Sequence, residues 1–157
     1  MISLLGLILT DTAAGITWRV PQGWQAEGLF SGATLKFGQV EATVEYGPSK
    51  GRGHTVLDII RLVQEDVKEF LSTAYLKDYT ATDEVKVEGG VAYWATASGN
   101  FNRGDEVRRF FRAGWRLGER GTIGYEMKIT FVKRGSRRFT PEEKRAMKEL
   151  VKGLKFD

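Results

Sequence analysis

Hydrophobic and polar positions alternate along much of this chain, and the alternation sets out most of its elements. Ile16, Trp18 and Val20 interleave with Thr17 and Arg19, a period of two that predicts a half-buried strand. Pro21 and Gly23 then stop it abruptly. Residues 2–9 are apolar enough to form a second strand, paired with 16–20 across a turn at 11–15. Residues 33–37 and 40–46 read as strands joined tightly at Gly38-Gln39. Val40, Ala42, Val44 and Tyr46 share one face of the second of these, and Glu41, Thr43 and Glu45 share the other.

From residue 55 the period changes to that of a helix. Thr55 and Asp58 form a capping box, with aspartate in place of the usual glutamate. Leu57, Ile60, Val63, Val67, Phe70, Leu71 and Ala74 form the apolar stripe, and Arg61, Glu65, Asp66, Lys68 and Glu69 the wet side. Strands are expected at about 84–87 and 91–98, followed by a long hairpin over 107–132. Thr140-Pro-Glu-Glu143 starts a closing helix that buries Met147, Leu150 and Val151 and ends at Gly153, and Leu154 and Phe156 alternate in a last short strand. The expectation is one domain over residues 1–157, of class α+β. A mostly antiparallel sheet of about seven or eight strands is flanked by two main helices.

The hairpin carries the most specific inference. Arg108, Phe110, Arg112 and Arg116 share one face of its first strand, while Phe111 and Trp115 share the other. Faces match across the hairpin only when opposed residue numbers sum to an even value. Arg116 opposite Thr122 sets Arg112 against Glu126. Arg116 opposite Gly124 sets Arg112 against Lys128. Like charges directly opposite are unfavourable by up to about 1 kcal/mol, so the first register is expected. The result is a row of guanidinium groups around an aromatic ring, with Lys128 nearby. Such a row suits phosphates and stacked bases, although arginine stems also lie over apolar surface with their heads in water.

Charge sharpens this picture. The net charge is +4, yet residues 1–102 carry 8 Lys+Arg against 12 Asp+Glu and residues 103–157 carry 16 against 8. A basic C-terminal half steers a chain toward anionic partners such as nucleic acid, lipid headgroups or phosphorylated metabolites. Lys50 and Arg52, in a glycine-rich loop just before the first helix, form a second candidate anion site, but the loop lacks the full phosphate-loop and dinucleotide patterns. Lys133-Arg-Gly-Ser-Arg-Arg138 is a dense basic turn, expected to be solvated. Trp24 is a candidate interface anchor wherever it is exposed beside the basic row.

The chain excludes several chemistries. It has no cysteine and one histidine, His54, which removes disulfides, thiol catalysis and multi-imidazole zinc sites. No cofactor or metal is expected. An enzyme built on Glu126 with arginine helpers would need titratable groups that converge in one pocket. Residues 1–9 are too short for a membrane span, which needs about 20 residues. They lack the positive start of a signal peptide, although residues 12–15 are weakly like a cleavage site. The compartment stays open: cytoplasmic by default, extracytoplasmic if a leader has been removed.

The order of elements, with Val20-Pro-Gln-Gly-Trp24 at one end and the Leu154–Phe156 strand at the other, resembles the PsbP-like α/β/α sandwich. The resemblance implies a non-enzymatic accessory role, binding a protein partner through a sheet face or groove, and it supplies no catalytic residues. The alternative is a binder of anionic ligands through the basic half.

Overall fold

A computed structural model describes residues 7–28, 31–49, 55–118, 121 and 123–157. The predicted alternation becomes real strands: β1 (Leu7–Asp11) pairs antiparallel with β2 (Ile16–Val20), and β4 (Thr34–Phe37) with β5 (Val40–Pro48). Residues 2–6 of the expected first strand lie outside the described residues. Between these pairs runs a short strand that the pattern does not predict, β3 (Gln25–Glu27). Its side chains are all exposed, so it has no buried face to impose a period.

Helix α1 (Val56–Leu71) opens with the expected capping box, Thr55 with Asp58. β6 (Leu76–Tyr79) follows, then β7 (Asp83–Val85), β8 (Val91–Phe101), β9 (Gly104–Leu117) and β10 (Ile123–Arg134). Helix α2 (Pro141–Lys152) and β11 (Leu154–Phe156) close the chain.

Among the described residues the strands form two antiparallel sheets, not one. The larger runs β3-β4-β5-β10-β9-β8-β6, with β7 also on β8; the smaller is β1-β2-β11. The class is α+β, as the pattern implies. On one face of the large sheet, Phe111, Met127, Ile129 and Phe131 pack against Met147 and Leu150 of α2 and against Trp18 and Phe156 of the small sheet. On the other face, α1 sets Val63, Val67, Phe70 and Leu71 on Ala95, Ala97, Phe101 and Phe110.

Three indole groups tie the layers together. Trp18 Nε1–H donates to the Leu150 carbonyl at 2.9 Å, Trp24 Nε1–H to the Ala146 carbonyl at 3.1 Å, and Trp115 Nε1–H to the Ala14 carbonyl at 2.7 Å. Each indole buries its rings while its one donor is satisfied. Gly89 is required where the chain passes β11: its φ is +82°, and a Cβ there would run into the Phe156 carbonyl oxygen.

The start of α2 carries a pH-dependent contribution. Glu143 accepts from the Thr140 N–H at 2.8 Å and from Lys133 Nζ at 2.8 Å. Lys133 is buried, so the turn expected to be solvated at this position is instead pinned to the helix. Burial pushes the Glu143 carboxyl upward, but its hydrogen bonds to Lys133 and Thr140 outweigh burial and hold it below the usual range. A depressed folded-state pKa gives stability that is present above the unfolded value, about 4.3, and is lost as pH falls through the folded value. Glu143→Gln is expected to be less stable than the parent by at least about 1 kcal/mol at neutral pH. The gap should close as denaturant titrations are taken below pH 4. A gap independent of pH would contradict this account.

Candidate binding cleft

The large sheet positions the arginine row beneath α1. Residue parity across the β9–β10 hairpin is as expected, but the register is the one set aside: Arg116 faces Gly124, Trp115 faces Tyr125, Phe111 faces Ile129 and Arg112 faces Lys128. The reason is Asp66, placed on the wet side of the helix by its sequence period but only 6% exposed in the fold. Its two oxygens accept from Arg112 Nε and Nη2 at 2.7 and 2.8 Å, and Lys128 Nζ lies 3.4 Å away. A buried carboxylate between two opposed cations turns an unfavourable cross-strand pair into a bridged one. The apolar stripe of α1 correspondingly begins at Ile59, not at Leu57, which is exposed.

The rest of the row is similarly occupied. Arg108 pairs with Glu106, a fully buried carboxylate that also meets Arg103 and Arg134, and lies over the Phe70 ring. Phe110 is 3% exposed, under α1. Arg116 is exposed at the far end. Guanidinium groups engaged by buried carboxylates present less positive potential than a free row. Trp24 is buried against Phe37 and Phe131. Lys50, Arg52 and His54 lie outside the described residues.

Charge also gathers where α1 leaves the sheet uncovered. A polar hollow of about 360 Å³ takes in Glu45, Tyr46, Arg112, Glu126 and Lys128. Burial first, and then a hydrogen bond to Asp11, raise the Tyr46 hydroxyl well above its ordinary value. On the opposite face Arg109 lies over Trp94 and donates to Thr96 Oγ1; burial lowers its pKa to about 10, against the pull of Asp83. Among the described residues no three His, Asp or Glu side chains are grouped to hold a metal ion.

A larger opening lies elsewhere, between α1 and the edge of the sheet. It is a cleft of about 520 Å³ floored by Ala95 and walled by Val67, Lys68 and Leu71 of α1 and by Lys77 and Tyr79 of β6. Residues 80–82, which link β6 to β7, close one end. Large apolar side chains stand around this edge in solvent: Tyr79 is 69% exposed, Tyr75 69% and Leu76 55%. Apolar groups concentrated at a concave edge mark a surface suited to a partner.

Sequence pattern misses this site because β6 is short and exposed at every position, so Tyr75-Leu-Lys-Asp-Tyr79 shows no periodic burial. The available signal was two tyrosines and a leucine within five residues directly after a helix. Val67, Lys68 and Leu71 enter the sequence reading only as faces of the helix, and none of the described candidate site residues, Trp24, Arg108, Phe110, Arg112, Arg116 and Lys128, lines the cleft.

No family model matches this chain, and no curated protein matches its sequence. Solved structures do resemble it. The solution structure of cyanobacterial PsbP (CyanoP) from Synechocystis sp. PCC 6803 superposes with a TM-score of 0.58, covering 99% of this chain and 95% of that one at 12% identity. LpqN of Mycobacterium tuberculosis, described as involved in cell envelope biogenesis, gives a TM-score of 0.61 at 10% identity, covering 89% of this chain and 82% of its own. No described helix is long and apolar enough to cross a membrane. The correspondence, at so low an identity, is one of architecture: this chain has the PsbP-like fold.

Proposed function

We propose that this protein is a non-enzymatic interaction module that takes a protein partner in the cleft between α1 and β6. The observation that carries the reading is the cleft itself, about 520 Å³, with an apolar floor and the exposed Tyr79 in its wall, while Tyr75 and Leu76 stand exposed along the same edge of the sheet. Clustered exposed aromatic groups at a concave site supply the kind of anchor that dominates protein interfaces. LpqN is described by a cellular process, envelope biogenesis, and not by a reaction, which accords with a binding role. The anion-binding alternative is the weaker reading, because Asp66 and Glu106 engage the centre of the cationic row.

The test is site-specific photocrosslinking in the native cells. A benzophenone side chain replacing Tyr79 is expected to give a discrete adduct, and the same group at exposed Lys144 on α2 is expected to give none. Equal yields at the two positions, or no adduct at Tyr79, would overturn the proposal.

A further inference from the structure

β6 closes one side of the large sheet and, among the described residues, pairs only with β8, from Leu76↔Asn100 to Tyr79↔Ala97. In register with this ladder, the Thr80 N–H donates to the Thr96 carbonyl at 2.8 Å. Bonding residues alternate along an antiparallel strand, so the N–H and C=O of Leu76 and Asp78 face β8. Those of Lys77 and Tyr79 therefore face outward. The side chains of Lys77 and Tyr79 line the cleft. The same two residues thus offer backbone groups with no strand partner among the described residues, and a wall of the cleft beneath them.

Charge adds a second constraint. Lys77 on β6 and Lys68 across the cleft on α1 make no ion pair among the described residues. Two unpaired lysines beside an apolar floor favour an anionic group set between them. They also disfavour a second copy of this chain: in antiparallel pairing of two β6 edges Lys77 meets either Lys77 or Tyr79, and neither supplies the anionic group.

We propose that the cleft receives an extended segment of the partner protein, added to β6 as a further strand, with apolar cleft-facing side chains and one acidic side chain set against Lys68 and Lys77. This rests on the interaction-module reading above. Main-chain hydrogen bonds to Lys77 and Tyr79 supply register, and alternate side chains entering the cleft supply specificity.

The experiment selects a random heptapeptide library against the full chain and measures the affinities of the enriched peptides. Enriched sequences are expected to alternate apolar and polar residues, with Asp or Glu among the apolar parity. Lys68→Glu/Lys77→Glu should weaken them roughly tenfold or more. N-methylation of the peptide at residues of one parity should abolish binding, while N-methylation at the other parity leaves it intact. That pair of probes leaves the protein itself unaltered. Tyr79→Pro, which removes an outward N–H without touching the β8 ladder, should act like the disruptive methylation.

Enrichment of sequences with helical i, i+3, i+4 spacing, or of basic peptides, would overturn strand addition while leaving the cleft as a binding site. So would self-association of the chain that Tyr79→Pro relieves. Absence of any peptide sensitive to the Lys68 and Lys77 changes, together with no adduct from position 79, would remove both readings.

Discussion

Asp66→Ala is expected to destabilise the fold by about 3–5 kcal/mol, because it leaves Arg112 and Lys128 opposed beneath α1 with their shared carboxylate gone. For a domain of this size that corresponds to a fall in Tm of roughly 6–20 °C. The loss comes mainly from the uncompensated cations left behind. The double variant Asp66→Leu/Arg112→Met is therefore expected to recover much of it, since the more buried of the two cations leaves with the carboxylate and Lys128 can turn to solvent. Urea titrations of the parent, Asp66→Leu, Arg112→Met and the double variant close a cycle that isolates the coupling. A loss below about 1 kcal/mol for Asp66→Ala is what an exposed ion pair gives, and it would mean that α1 does not seat this carboxylate on the hairpin.

Trp115→Ala is expected to cost a similar amount, about 3–5 kcal/mol, for a different reason. The Trp115 ring stacks on Phe156 at 4.2 Å between centroids and its Nε1–H satisfies the Ala14 carbonyl, so one side chain joins the large sheet to β11 and to the β1–β2 turn of the small one. Trp115→Phe keeps most of the apolar packing and orphans the carbonyl, for a loss of about 1–3 kcal/mol. Arg116, the next residue, points to solvent from the opposite face, and Arg116→Ala is expected to stay within about 0.5 kcal/mol of the parent. Equal losses at 115 and 116 would contradict the assigned faces of β9.

What could be read from the sequence follows the range of the forces involved. Both capping boxes, Thr55 with Asp58 and Thr140 with Glu143, are decided within four residues, and both form. The strand periods of 16–20 and 40–46 reflect one buried face each, and both strands form. The parity of β9 against β10 follows from matching two apolar faces, and it holds. The choice between the two even registers does not follow from the hairpin alone. It depends on Asp66, 46 residues from Arg112 in sequence, and a pairing rule for isolated charges reverses once a third, buried charge bridges them. The two edge strands β3 and β6 have no buried face to impose a pattern. The cleft arises from the spacing between α1 and the β6–β7 link, a tertiary quantity that no local period encodes.

Backbone amide exchange gives the whole-surface view of where a partner sits. The measurement compares the isolated chain with the complex formed with whichever protein co-purifies with it stoichiometrically from native cells. Slowed exchange is expected at Lys77 and Tyr79 and along residues 64–82, with the open half of the sheet, residues 41–47 and 126–132, unchanged. Slowing confined to that open half, with the amides of Lys77 and Tyr79 exchanging as in the free chain, would place the partner elsewhere and contradict the cleft as the working surface of this protein.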